Sequence, residues 1–391
     1  MALAYVLSQF YRSFLAVLTP ALAADLGATK PELSFASGIW FLAFASMQFV
    51  VGVSLDRYGP RRTASILLAI GGGGGALLFA AANSASMITV AMGLIGAGCA
   101  PVLMAPLFIF ARTFSPMRFA VLTSWFVAIG SLGNVVGAAP LAAAVELFGW
   151  RPVMAGFSLF TLAVAGGLFV IVRDPPQENS GAGGFGFAGY LELLRMKVLW
   201  PIIPLMAINY APPAGIRGLW AGPYLAEVYS LDTLAIGNVT LFMAMGMVAG
   251  SFLYGPLDTL FGTRKWVAAA GNTVSLAAVA TLAAFPLIGV PLATVLLVVI
   301  GVAGMGYGMI MAHSRAFFPA HLTGRGVTLM NFFSIGGVGV MQFATGGVVS
   351  AAGVPGEPAA AYSAVFSFYA VLLGISLLIY LFSRDAPPGK G

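Results

Sequence analysis

Residues 41–75 read FLAFASMQFVVGVSLDRYGPRRTASILLAIGGGGG. An apolar run ends at Leu55, the charges Asp56, Arg57, Arg61 and Arg62 crowd around the turn formers Gly59 and Pro60, and a second apolar run begins at Thr63. Extended to their natural limits, the runs cover residues 33–55 and 63–83, each close to the ~20 residues that cross a hydrocarbon core of roughly 30 Å. Lipid offers no partner to an unpaired backbone group, so the pattern predicts two helices crossing a bilayer and joined by a short charged loop.

The rest of the chain repeats that pattern. Of 391 residues, 60% are hydrophobic and only 8% are charged, against roughly 25% charged in a soluble domain. Twelve apolar stretches can be marked off by charges, prolines or glycines: 2–26, 33–55, 63–83, 87–111, 119–143, 150–172, 199–228, 235–257, 266–286, 289–314, 326–351 and 360–383, hereafter spans 1 to 12. Met1 leads straight into a span longer than a signal h-region, with no small-residue cleavage pattern before Arg12, so span 1 is expected to stay in the mature protein. The single Cys99 excludes an internal disulfide and reads as a small packing residue.

A net charge of +6 raises the question of nucleic acid, which the placement of the charges answers. Fourteen of the 18 basic residues (Arg57, Arg61, Arg62, Arg112, Arg118, Arg173, Arg195, Lys197, Arg264, Lys265, Arg315, Arg325, Arg384 and Lys390) fall in loops on one side, and only Lys30 and Arg151 in loops on the other. The positive-inside rule then puts both termini in the cytoplasm of a bacterial-type inner membrane. The charge reports topology, with the lipid bilayer and not nucleic acid as the partner.

Sliding the chain along itself by 203 residues brings Gly52 onto Gly255, Gly59 onto Gly262, Arg61 onto Arg264, Arg62 onto Lys265, Arg112 onto Arg315, Pro116 onto Pro319 and Pro20 onto Pro223. A polar interval, 174–197, separates the copies. The expected organisation is an N-terminal six-helix bundle (1–173), a cytoplasmic linker (174–197) and a C-terminal six-helix bundle (198–391). Parallel repeats of this kind commonly build alternating-access carriers with a midplane site between the halves.

The loop Gly52 to Arg62 strongly resembles the G-x-x-x-D-R-x-G-x-R-R signature of the major facilitator superfamily. The resemblance implies an all-α membrane protein of twelve helices in two pseudo-symmetric bundles, working as a monomer without cofactor or resident metal. In that reading Gly52 permits a close helix contact, Gly59 supplies a turn, and Asp56, Arg57, Arg61, Arg62 and Arg112 form a conformational latch. Asp258, Arg264 and Arg315 form the second copy, in which the acid stands one residue early and no arginine follows it. Gly130, Gly133, Gly137 and Pro140 in span 5, and Gly336, Gly337, Gly339, Gly346 and Gly347 in span 11, read as close-packing surfaces. The first set is also similar to the glycine-proline motif of drug antiporters and, through Asn134, to a nitrate-carrier signature.

Two basic residues remain inside the spans, Arg12 in span 1 and Arg217 in span 7. An intramembrane arginine is costly enough to be read as functional by default, and a guanidinium suits a carboxylate or phosphate bidentately. Tyr11, Arg12 and Pro20 resemble helix 1 of the organophosphate:phosphate antiporters and their organic-anion relatives, which implies that Arg12 is the anion ligand. Arg217 precedes Pro223 by six residues where Arg12 precedes Pro20 by eight, a difference of about 200° around a helix, so Arg217 joins it only if Pro212, Pro213 and Gly215 distort span 7. The bland alternative for Arg12 is snorkelling to an interface ~18 Å away. Tyr11, Asn209, Tyr210, Trp220, Tyr224 and Asn238 are candidate cavity liners.

No acidic residue or lysine falls in the middle of a span, which argues against sugar:proton symport or cationic-drug antiport. Coupling is left to exchange, to a proton carried by the anion, or to Glu227 or His313. The expected function is secondary transport of a small organic anion. The alternatives are export of apolar drugs, import of copper through Met243, Met247, Met305, Met309 and His313, and a receptor on a transporter scaffold. A phosphate-cradling G-x-x-x-x-G-K-[ST] is missing, and no catalytic constellation points to an enzyme.

Overall fold

In a computed structural model, residues 1–113, 116–174, 188–319, 322–353 and 357–387 are described, and every element among them is helical. Most of the linker, 175–187, lies outside them, as do the side chains of Asp56 and Arg112. Ten helices among the described residues are long and apolar enough to cross a membrane, and a bent pair, Ala2–Phe10 and Leu15–Leu26, makes an eleventh. Span 7 completes the twelve in short pieces, Ile203–Ile208, Ala211–Gly215, a π-turn at Ile216–Trp220, and Ala221–Tyr229. Large apolar side chains such as Val170, Ile171, Leu147 and Phe382 face outward, 76–85% exposed, as lipid-facing residues must.

The structure redraws several expected boundaries. Spans 2 and 3 are continuous in helical hydrogen bonding from Lys30 to Leu67, interrupted only at Gly59, where φ is 80° and ψ is 162°. Thr29 opens this helix with a capping box, its hydroxyl accepting from the Glu32 N–H while the Glu32 carboxylate accepts from the Thr29 N–H at 2.8 Å. The glycine run of span 3 widens into a π-turn, Leu68–Gly74. Where the linker was expected to be irregular, Ala188–Arg195 is a helix whose Leu193 is buried.

The chain divides into two compact units, and the division is not the one expected from the linker alone. One unit holds residues 1–179 together with Ala221–Ala226 and Leu231–Leu241; the other holds the remainder. The end of span 7 and the start of span 8 join the first unit because small residues seat them there. A Cβ on Gly222 would overlap the carbonyl oxygen of Ala16, and one on Gly237 would come within 2.8 Å of the Ala142 methyl. Ala16 is four residues before Pro20, which has no N–H to satisfy that carbonyl, so the glycine approaches a backbone group that the helix leaves open.

Glycine also sets the packing within each unit. In the first, spans 1 and 5 meet through Gly130 against the Tyr5 ring and Gly133 against the Val6 carbonyl, and spans 2 and 4 meet through Gly96 against the Trp40 carbonyl. In the second, Gly250 meets Val302 and Gly337 meets the Ala207 carbonyl. These close approaches bear out the packing reading of the span 5 glycines. Gly52 behaves otherwise: nothing lies within 4 Å of where its Cβ would stand, so the expected close contact is not made there. At the end of the first unit away from the Gly59 turn, Arg151 pairs with Asp25 and donates to the Ala82 carbonyl at 3.0 Å, while the Trp150 indole donates to Asp25 at 3.1 Å. This knot joins spans 1, 3 and 6.

Gly133→Val should lower the unfolding free energy by about 1–3 kcal/mol through overpacking, read as a fall in the melting temperature of the detergent-purified protein. Gly156→Ala, with open space at its Cβ, should leave that temperature unchanged.

Candidate functional site

Span 1 breaks where its arginine stands. The α-helix ends at Phe10, Tyr11 to Phe14 form turns, and the second piece starts at Leu15 at an angle of 50° to the first. Ser13 donates back to the carbonyls of Gln9 and Phe10, a competition with the backbone ladder that bends helices. The break presents Arg12 to two aromatic faces of span 2. Its guanidinium carbon lies 4.8 Å from the Phe44 ring centre and 5.6 Å from that of Trp40. Those rings are themselves stacked at 5.3 Å. Such contacts are worth about 0.5–2 kcal/mol, and they leave the edges of the guanidinium uncommitted. The Arg12 Nε is sealed from solvent with no hydrogen-bond partner, and no carboxylate pairs with Arg12 among the described residues. Cys99, buried on span 4, is close enough to feel its charge.

Tyr11, expected to line a cavity, faces span 6 instead. Its hydroxyl shares a 2.9 Å hydrogen bond with Thr161 and reaches the Phe157 carbonyl at 3.4 Å. Consecutive residues on a helix point about 100° apart, so Tyr11 and Arg12 serve different neighbours.

Span 7 is likewise irregular at its arginine. Pro212 and Pro213 supply no N–H to the carbonyls four residues back, and the helix restarts at Ala211 only to widen into the π-turn Ile216–Trp220. Span 7 is thus distorted around Arg217. Arg217 is 2% exposed, with the half-buried Tyr210 as its titratable neighbour. The Trp220 indole donates to Thr345 Oγ1 at 3.0 Å, and Gly215 gives room to the Tyr369 hydroxyl and the Gln342 amide. Sequence reasoning missed Gln342 and Thr345 in span 11 and Tyr369 in span 12, since isolated polar residues in an apolar span carry no pattern. Asn209 turns away from this group, donating to Asn272 Oδ1 at 2.8 Å, and Asn272 donates to the Ala268 carbonyl. The Asn209 amide nitrogen is thereby tied to span 9, while its Oδ1 is buried without a hydrogen-bond partner among the described residues. Tyr224 is buried and Asn238 exposed, both in segments of the first unit.

The loop residues form clamps inside each unit. Gly59 takes its left-handed φ where the Asp174 carboxylate sits 2.6 Å from its missing Cβ, and Asp174 accepts from the Arg61 N–H at 2.7 Å. The Arg61 guanidinium lies over Phe169 and that of Arg57 over Tyr58, while Arg62 is exposed. In the second unit Asp385 accepts from the Thr263 hydroxyl at 2.6 Å and the Lys265 N–H at 3.0 Å, and Arg264 pairs with Asp258 at 3.2 Å. Arg315 is exposed. A signal for both clamps was in the sequence, Arg173-Asp174-Pro175-Pro176 against Arg384-Asp385-Ala386-Pro387-Pro388. It repeats at 211 residues, so an offset of 203 passes over it.

Glu227 is exposed and interacts with Tyr362. His313 is buried with both ring nitrogens engaged, Nδ1 with the Tyr380 hydroxyl at 2.7 Å and Nε2 with the Arg384 carbonyl at 2.8 Å. Met243 and Met247 are buried against Gly301, where spans 8 and 10 pack.

The sequence profile of the Major Facilitator Superfamily matches residues 1–216. The chain belongs to this superfamily. It is 25% identical over 270 residues to a probable L-galactonate transporter of Escherichia coli (strain K12), a match covering 64% of this chain and 59% of that protein. The fold is that of a bacterial homolog of the human lysosomal transporter Spinster, solved in an inward-facing and occupied conformation (TM-score 0.76, 19% identity, 98% of this chain and 95% of that one). It is also that of a D-xylose-proton symporter (TM-score 0.76, 14% identity, 98% and 96%). Superfamily membership makes the chain a multi-pass membrane protein of a transporter family, not of an enzyme family.

Burial raises the Asp385 carboxyl, but hydrogen bonds from Thr263, the Lys265 and Ala386 N–H groups and the nearby His313 outweigh it and bring it below the ordinary carboxylate range. A value lower in the folded than in the unfolded state gives stabilisation that is full above about pH 4 and is lost as pH falls through the folded value. Asp385→Asn should therefore lower the melting temperature at pH 7 and flatten its fall below about pH 4.

Proposed function

We propose that this chain is a secondary active carrier of a small organic anion, working by alternating access in a bacterial-type inner membrane with both termini in the cytoplasm. The observation that carries the reading is the state of Arg12. A cation at membrane depth costs at least ~2.5–3.5 kcal/mol, and here it is seated on aromatic faces with no carboxylate paired to it among the described residues. The ring faces hold the guanidinium in place while its N–H edges stay available for a bidentate anion. Breaks in spanning helices are tolerated where protein or a water-filled cavity covers them, and both arginine-bearing spans are broken at the arginine. Arg217 is a second anion ligand in this reading.

A carboxylate is the favoured anionic group, because the E. coli relative is named for L-galactonate, a carboxylate flanked by hydroxyls. The neutral hydrogen-bonding groups along the interrupted part of span 7, Tyr210 by Arg217, Gln342 and Tyr369 by Gly215, and Thr345 by Trp220, suit hydroxyl recognition. Both arginines lie on one chain, so a monomer suffices. Coupling proceeds by exchange or by co-transport of a proton.

Thermal shift of the detergent-purified protein against aldonates, other small carboxylates, organic phosphates and inorganic anions tests this. A ligand at a hundred times its Kd adds about 2.7 kcal/mol of apparent stability. A carboxylate should raise the melting temperature of the wild type and not of Arg12→Ala. Stabilisation by apolar compounds alone, or by anions equally in the variant, would overturn the reading.

A further inference from the structure

His313 is 0% exposed and lies beside the Asp385 clamp. The Arg384 carbonyl, 2.8 Å from Nε2, can only accept, so Nε2 carries a ring hydrogen, and in the neutral ring Nδ1 accepts from the Tyr380 hydroxyl at 2.7 Å. One residue beyond Arg384, Asp385 caps the start of span 9, and the Lys265 ammonium donates to the Leu381 carbonyl at 2.6 Å. The tail of span 12 is thus fastened to span 9 by Asp385 and Lys265, and to span 10 by His313.

The first unit has only half of this arrangement. Asp174 fastens its tail to the start of span 3, but the position 203 residues before His313 is Phe110, which cannot titrate. Among the differences between the two clamps, the ionisable ring is the one that can answer to pH near neutrality.

We propose that His313 is a proton-binding site that controls the clamp, holding the tail of span 12 when neutral and releasing it when protonated, apart from any route taken by substrate or coupling proton. A second ring proton turns Nδ1 into a donor, so the Tyr380 hydroxyl loses its acceptor in a sealed position. The new cation feels Arg264 and Lys265 at the start of span 9 together with Asp385, whose carboxylate is already committed to Thr263 and the Lys265 N–H, while Arg264 is paired with Asp258. The fourth neighbour, Phe317, offers only an apolar ring, its centre 5.6 Å away. Burying an imidazolium among these groups costs more than leaving it in water, so acidification through the ordinary imidazole range, around pH 6.5, favours the open tail. The Asp385 effect lies below about pH 4 and is separate from this window.

Hydrogen exchange of residues 381–387 in the full-length protein, corrected for intrinsic rates, tests the site between pH 8 and 5. Exchange of the wild-type tail should accelerate about tenfold per unit of pH below the imidazole range. His313→Gln, which can still donate to Arg384 and accept from Tyr380, should give a pH-independent tail. If that variant fails to fold, Tyr380→Phe replaces it and should move the transition to higher pH. Identical pH profiles for wild type and variant, or a flat wild-type profile, would overturn the proposal. The readout involves no substrate, so its outcome is independent of the anion reading.

Discussion

Inside a bilayer a backbone group that leaves its helix has no water to turn to, and the rest of this structure follows from how that constraint is met. Glycines are spent on bringing backbones together, as where Gly133 meets Val6 and Gly96 meets Trp40. Several spans are interrupted, spans 4, 5 and 10 among them, and in spans 1 and 7 the interruption falls at an arginine. The cost of a broken ladder and the cost of a buried cation fall in one place, which is expected where function holds strain. Aromatic faces then do for Arg12 what a carboxylate would otherwise do, but without neutralising it.

How much of this was legible in the sequence depended on whether a feature leaves a periodic or punctuating mark. The twelve apolar spans, the loop from Gly52 to Arg62 and the 203-residue repeat do, and they pointed to the fold. Arg12 and Arg217 stood out because charges are rare in the spans. Trp40 and Phe44 did not, since an aromatic residue in an apolar run looks the same whether it faces lipid or a guanidinium. Tyr11 and Asn209, read as cavity liners, carry a related ambiguity: a polar atom inside a span can be answered by a neighbouring helix, here through Thr161 and Asn272. Composition marks such a residue as needing a partner and does not say which.

The two units keep the clamp and vary its chemistry. An aspartate just past the last span of each unit caps the third, and the left-handed glycine of the motif, Gly59, makes room for that carboxylate. The motif thereby acquires a physical reason beyond its turn, because a side chain at Gly59 would meet both a positive φ and Asp174. In the second unit the cation of the motif loop is satisfied locally, Arg264 by Asp258, and a buried histidine is added. Internal duplication has left two scaffolds that hold their tails alike but answer differently to protons.

The account rests on Arg12 being answered by the anion that the protein carries. Counterflow into proteoliposomes, comparing a radiolabelled small hydroxy-carboxylate with the corresponding uncharged alcohol, addresses it most directly. The account predicts accumulation of the acid alone, abolished by Arg12→Ala and depressed by Arg12→Lys, which keeps the charge but loses the fork of donors. Equal counterflow of acid and alcohol, or undiminished counterflow of the acid in Arg12→Ala, would contradict it.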